Sequence, residues 1–319
     1  MSPASPRLPA WLAAYVVPQR HDDYTAEEHA VWATLVERYE RAAQQLAHKI
    51  YEPHLVGLRA LKLDPTRIPT MAWLSAKLAP VEWMTVCVDG YLPPRVYAAF
   101  IAHRVFPVSR EIRAARHMDF SPTPDLVHDV FGHLPLLFDP RHRTYLRELG
   151  RVMADAEAGE LDYQLHAANR LMGAIKSRPD APAEIVRAVE AECDHVQRLL
   201  AVSPSEVTAL GRLFLWSIEF GLIGTRDDFR VQGAGLLSSL GEIASLSGPG
   251  VTVEPYSAAA AARDIYFSEF QGKYYVFRDY DELTAVLREH CGRMRDRAQS
   301  SSSTPGENGR TSTSVGELR

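Results

Sequence analysis

The chain is poor in the features that would take it out of ordinary globular chemistry. It carries three cysteines in 319 residues, Cys87, Cys193 and Cys291, far apart and odd in number. They offer neither the paired spacing of a zinc site nor a disulfide framework, and they point to a reducing cytoplasm. No apolar run reaches the length of a membrane-spanning helix. The nearest approach, residues 8–17 (LPAWLAAYVV), has the apolar core of a signal peptide without its flanks, and is expected to belong to the mature fold. Positive charge is not in excess: 35 Lys and Arg stand against 40 Asp and Glu, a net charge of −5, so no basic footprint for nucleic acid is visible. No internal repeat is found. What remains is 46% hydrophobic and 24% charged, and long enough to bury a core without covalent staples.

Along the chain the pattern is mostly helical. Residues 1–20 read as an extended N-terminal segment. Thr25 and Glu28 form a capping box, and the helix behind it sets Val31, Leu35, Tyr39, Ala42 and Leu46 on one face. Short helices broken by Pro53, Pro65 and Pro69 fill 50–80, and residues 83–92 alternate weakly up to a turn. A long helix is expected from Pro94 toward Arg116. A short one opens at Pro124, which suits a first helical position. Residues 144–200 are rich in helix formers. Ser203-Pro204-Ser205-Glu206 marks another helix start, with Pro204 at the first position and Glu206 at the third. One further helix is predicted over 233–246, a β-hairpin over 265–278 turning near Gln271-Gly272, and a closing helix over 279–290. From about 296 the chain is almost devoid of apolar residues and reads as a disordered tail, 296–319. The fold class is therefore mainly α: one domain of packed helices, 21–295, with a small β-hairpin element.

Two features carry chemistry. In PTPDLVHDVFGHLP, His128 and His133 stand five apart, which on a continuous helix turns them about 140° from each other. Gly132 and Pro135 suggest that the helix ends there and lets the second imidazole swing back. Glu219, in LFLWSIEFGLI, is a lone charge inside an apolar helix, and buried carboxylates are rare unless paired or bound to metal. Two imidazoles and a carboxylate suit zinc, or iron(II) in a facial triad with open positions. Either feature alone is more readily read as structural. Gly233-Ala234-Gly235 is no dinucleotide fingerprint, because position 238 is Ser where a third Gly belongs.

Taken together and in this order, PDLVHDVFGHLPLLFDP, SIEFGLI and GAGLLSSLGE resemble the tetrahydropterin-dependent aromatic amino acid hydroxylases, bacterial phenylalanine 4-hydroxylases among them. The similarity extends from about Tyr15 to the closing hairpin and helix. The resemblance implies an iron(II)- and tetrahydropterin-dependent monooxygenase that uses O2 as co-substrate to hydroxylate the ring of a free aromatic amino acid, phenylalanine to tyrosine first of all. It implies His128, His133 and Glu219 as iron ligands and Arg113 as the anchor for the substrate carboxylate, held by Asp125. Ser121, Pro124, Leu215 and Ser238 fall at substrate positions, Ser238 also bonding a ligand histidine. Gly90, Tyr91, Leu92, Tyr97 and Asp129 fall at pterin positions.

Departures from the family pattern bear on specificity. Between His128 and Glu219 lie far more residues than compact members have, so about 150–205 is expected to be a helical insertion packed beside the core. Leu215 stands where many members have Trp, Phe214 and Gln232 replace frequent Tyr, and Thr123 replaces a frequent Glu. Tryptophan, another aromatic amino acid or another ring position is therefore the alternative substrate reading. A zinc hydrolase and a pterin-binding protein without turnover are the competing classes. The former lacks an HExxH helix; the latter fits poorly with an intact donor set. No nucleic acid or membrane partner is expected. A monomer is the simplest assembly, with a dimer through the insertion as the alternative.

Overall fold

The structure, a computed structural model, describes residues 8–119, 124–176, 181–246, 248–265 and 270–302. The N-terminal segment is less extended than expected. A short helix, α1 (Ala10–Ala13), buries Leu12 among Val86, Val96 and Phe100, and Val17 N–H donates to the Cys87 carbonyl at 2.9 Å. The 8–17 stretch is thus part of the fold. At the next element the capping box forms as read: Thr25 Oγ1 accepts from Glu28 N–H at 3.2 Å, and the Glu28 carboxylate accepts from Thr25 N–H at 2.8 Å. It opens α2 (Ala26–Gln45), whose Val31, Leu35, Tyr39 and Ala42 are buried. The helices α3 (Glu52–Leu61) and α4 (Met71–Leu78) follow, then β1 (Met84–Val88).

The helix expected from Pro94 to Arg116 is short. α5 (Pro94–Ala102) ends where Arg104 adopts a left-handed backbone, φ 61°, and the chain returns as β2 (Val105–Ser109), parallel to β1. The physical reason lies in Val-Phe-Pro-Val: β-branched and aromatic residues favour the pleated strand, and Pro107 cannot donate inside a helix. The long helical stretch resolves into α6 (Pro140–Asp155), α7 (Glu160–Lys176) and α8 (Ala183–Val202). The pair α7 and α8 closes around its own small cluster of Ala168, Ile175, Val189 and Cys193. The next helix, α9 (Glu206–Phe214), begins two residues later than read, with Ser205 as its cap, accepting from Thr208 N–H at 2.9 Å; Ser203 instead ends α8.

Beyond the Glu219 segment come β3 (Gly221–Gly224), β4 (Phe229–Val231), α10 (Ala234–Leu237), α11 (Leu240–Ser245), β5 (Thr252–Pro255), β6 (Lys273–Phe277) and α12 (Tyr280–Ser302). The single helix predicted over 233–246 is broken, because the Ser238 hydroxyl takes the Gly235 carbonyl at 3.0 Å and competes with the helical ladder. The sheet order is β4-β3-β6-β5, with β6 parallel to both neighbours. The predicted hairpin is therefore not the β element. Its second arm is β6, whose two edges are taken by β3 and β5, and 266–269 of its first arm lie outside the described residues. The last helix runs on to Ser302, past the boundary placed at 296, and 303–319 lie outside the described residues.

A candidate metal centre in a buried cavity

Both candidate metal-binding segments are π-helical. His128–His133 forms one such turn, with Leu134 N–H reaching back five residues to the Asp129 carbonyl. Leu215–Glu219 forms the other, with Phe220 N–H bonded to the Leu215 carbonyl at 2.9 Å. A π turn closes over five residues, so it brings His133 back over His128. The helix does not end at Gly132, as the sequence suggested; it widens. Local chemistry explains both cases. Pro135 has no N–H to offer the Phe131 carbonyl, and the buried His54 on α3 supplies one through Nε2 at 2.7 Å. At the second segment the Ser217 hydroxyl donates to the Leu213 carbonyl at 2.7 Å and so competes with the ordinary helical bond. The first segment also needs glycine: a Cβ on Gly132 would sit 2.4 Å from the Ala234 carbonyl oxygen of α10.

The three predicted donors converge. His128 Nε2 and His133 Nε2 are 3.1 Å apart, His133 Nε2 lies 3.0 Å from Glu219 Oε1, and His128 Nε2 lies 3.5 Å from Glu219 Oε2. Among the described residues they form the group of three able to hold a metal ion. The hydrogen bonds show why a cation fits. Ser238 Oγ lies 2.8 Å from His128 Nδ1 and spends its own proton on the Gly235 carbonyl. It can therefore only accept from His128, which places the ring proton on Nδ1 and turns the Nε2 lone pair toward the carboxylate. Two acceptors facing each other at this spacing need a positive charge between them. Burial also keeps His128 neutral, with its pKa pushed down to about 4, which is the ligating form.

Arg113 and Asp125 form a closed pair beside this group. Arg113 Nε and Nη2 each donate to Asp125 at 2.8 Å, in the bidentate fork expected of the pair. Asp125 also accepts the Arg113 backbone N–H at 2.9 Å and the His128 backbone N–H at 2.8 Å. The two readings of Asp125, arginine support and helix N-terminal charge, hold together. Arg113 is buried, which works against its charge, yet Asp125 outweighs this and holds its pKa above the usual arginine range.

A cavity of about 300 Å³ joins these groups. Gly90, Tyr91, Leu92 and Tyr97, from the turn after β1 and the start of α5, line it; Gly90 has φ 60° and open space beside it. Arg113, Pro124, Leu215, Ser238, Asp129 and the three donors line it as well. Asp129 accepts Ser109 N–H at 2.8 Å, and burial pushes its pKa up to about 8. Ser121 and Thr123 lie outside the described residues. Sequence reasoning missed Met153, Phe220, Glu242 and Gln271 on the same walls. Glu242 had a usable signal: like Glu219, it is a lone acid in an apolar stretch, SSLGEIASL.

Comparison with known proteins places the chain in a family. The family model for biopterin-dependent aromatic amino acid hydroxylases matches residues 15–165 and 196–301, leaving 166–195 of α7 and α8 between them. The phenylalanine-4-hydroxylase of Chromobacterium violaceum is 32% identical over 229 residues, covering 72% of this chain and 61% of that protein. The phenylalanine-4-hydroxylase of Caulobacter vibrioides is 28% identical over 289 residues, covering 90% of this chain and 82% of that protein. A crystal structure of the Chromobacterium violaceum enzyme with iron(III) and oxidised 7,8-dihydrobiopterin has a TM-score of 0.66 at 26% identity, covering 91% of this chain and 94% of that one. Among the described residues no helix is long and apolar enough to cross a membrane. With both donor-bearing stretches inside the matched residues, the chain belongs to the biopterin-dependent aromatic amino acid hydroxylases.

Proposed function

We propose that this chain is an iron(II)- and tetrahydropterin-dependent monooxygenase that converts phenylalanine to tyrosine. The observation that carries the reading is the set of three donors whose acceptor atoms face one point, beside a buried arginine that lines the same cavity. His128, His133 and Glu219 would hold the iron; Gly90, Tyr91, Leu92, Tyr97 and Asp129 would hold the pterin. Bound there, the two groups would supply the activation of O2, with the pterin giving two electrons. The protein's own residues orient the substrate. Arg113 has Nε and one Nη2–H committed to Asp125 and Tyr39 as a further hydrogen-bond partner, and the guanidinium, which has five N–H donors, lines the cavity where a carboxylate would bind. Pro124 and Leu215 shape the space for the ring, and Ser238 fixes the His128 tautomer. Burying the polar end against a fixed fork sets the ring's position, which is the protein's share in such chemistry.

Leu215 favours a second reading in which another aromatic amino acid is accepted, because a half-buried Leu on the wall gives a larger ring more room than an indole would. We further place the enzyme in the cytoplasm as a monomer of one catalytic domain, with α7 and α8 as an insertion beside it. Anaerobic loading with iron(II) and a tetrahydropterin, followed by an amino acid panel under O2 with product identification, tests the function. Tyrosine from phenylalanine is the expected product. A fully iron-loaded protein that oxidises pterin but hydroxylates no aromatic amino acid would overturn it.

A further inference from the structure

Glu242 is a buried carboxylate that the proposed chemistry leaves unused. It lies on α11, is 2% exposed, and lines the same cavity as Arg113. Among the described residues its hydrogen bonds fall on one oxygen: Tyr274 Oη donates to Oε1 at 2.9 Å, and Gln271 N–H donates to Oε1 at 3.4 Å. No cationic side chain among the described residues acts on it. A buried carboxylate supported only by neutral donors on a single oxygen is costly, and a cation at the second oxygen would relieve that cost.

We infer that Glu242 binds the α-ammonium group of the substrate, so that Arg113 and Glu242 read the two charged ends of one zwitterion. The inference rests on the amino acid substrate proposed above. An α-amino acid carries both charges on a single carbon, so its ammonium partner must lie on the side of the cavity that holds Arg113. Glu242 lines that cavity, and the chain leading into α11 packs against neighbours of Arg113. Tyr39, which neighbours Arg113, donates to the carbonyl of Ser238, two residues before α11 begins. Ser239 Oγ, just before α11, lies 3.5 Å from the carbonyl of Asp119, in the segment that follows Arg113. The other acids of the cavity are placed differently. Glu219 faces both imidazoles as the third metal donor, and Asp129 is tied to β2 through Ser109 N–H.

The test compares phenylalanine with 3-phenylpropanoate, which keeps the ring and carboxylate but has no ammonium, on full-length iron-loaded protein. Glu242→Gln keeps an acceptor for Tyr274 and Gln271 and removes the charge. KM for phenylalanine should rise about tenfold or more, a scale typical of a lost buried charge contact. The inhibition constant of 3-phenylpropanoate should stay level or fall, with kcat, pterin KM and iron content little changed. Equal weakening toward both compounds, or an unmoved phenylalanine KM, would show that Glu242 serves only the packing around Tyr274. If the variant does not fold, the wild type decides: thermal-shift titration should show phenylalanine binding about tenfold more tightly than 3-phenylpropanoate, and near-equal binding overturns the inference. This binding readout is independent of turnover, so a protein that discriminates between the two yet hydroxylates neither would count against the proposed function alone.

Discussion

Removing Asp125 should reveal how strongly the arginine and the first metal-binding segment are fastened together. Its two oxygens receive four hydrogen bonds: two from the Arg113 guanidinium and one each from the Arg113 and His128 backbone N–H groups. Arg113 is 6% exposed and Asp125 is 3% exposed, so neither can turn to water. Asp125→Ala strands a buried guanidinium, at about 3–5 kcal/mol. It also leaves two backbone donors without an acceptor, at about 1–3 kcal/mol each. These terms share one site and do not add fully, so a loss of about 5 kcal/mol is the scale to expect. For a chain of this size that is roughly a 10 °C fall in melting temperature or more. Thermal denaturation of the iron-loaded protein measures it. Replacing the stranded charge as well, in Arg113→Met with Asp125→Ala, should raise the melting temperature above that of Asp125→Ala alone, because the uncompensated charge is gone. If Asp125→Ala melts within two or three degrees of the wild type, the pair is not buried as described and the reasoning fails.

Other outcomes follow from the same geometry. Glu219→Ala should lose most bound iron and all hydroxylation, read by metal analysis and product formation; a variant with full iron content would remove Glu219 from the donor set. Gly132→Ala drives a methyl into the Ala234 carbonyl, so iron binding and stability should both fall, whereas an unchanged protein would mean that α10 yields easily. Burial depresses the His54 pKa to about 4, below its unfolded value. As pH falls beneath about 6.5 the unfolded chain takes up a proton that the folded one refuses, and stability drops until about pH 4, by about 2 kcal/mol between pH 7 and 5. His54→Gln should shrink that difference in urea titrations by a similar amount, and an equal acid loss in both proteins would acquit His54. Leu215→Trp should shift kcat/KM toward phenylalanine and against larger rings by roughly tenfold, the scale of an apolar pocket change; an unmoved ratio would mean that Leu215 does not touch the substrate.

The candidate site was far more legible in the sequence than the backbone that carries it. His128, His133 and Glu219 stand out as residue types in the sequence, the family resemblance adds Arg113 and Ser238, and all five line one cavity. The π turns were not legible, because nothing in the five-residue spacing of the histidines distinguishes a helix that stops from one that widens. The deciding partners are distant: His54 for the Phe131 carbonyl and Ala234 for Gly132. The β element failed for the same reason. Lys273–Phe277 is rich in aromatic and β-branched residues like a hairpin arm, yet its neighbours are Gly221–Gly224 and Thr252–Pro255, and parallel pairing leaves no turn signal. At 94–116 the error was local and avoidable, since Pro107 already argued against a continuous helix.

The hydrogen bond from His128 Nδ1 to Ser238 has a consequence for metal supply. The tautomer is set by the protein, and His133 is held 2% exposed against the Phe106 ring, so hydrogen bonding and packing orient the donors. Donors oriented in this way offer the same nitrogen and oxygen atoms to every small divalent cation. For such donors cobalt, nickel, copper and zinc generally bind more tightly than iron(II). Which ion fills the site would then be settled by what the surroundings provide. Zinc added during loading should act as a silent competitor, lowering hydroxylation in proportion to the sites it occupies while protecting the fold as well as iron does.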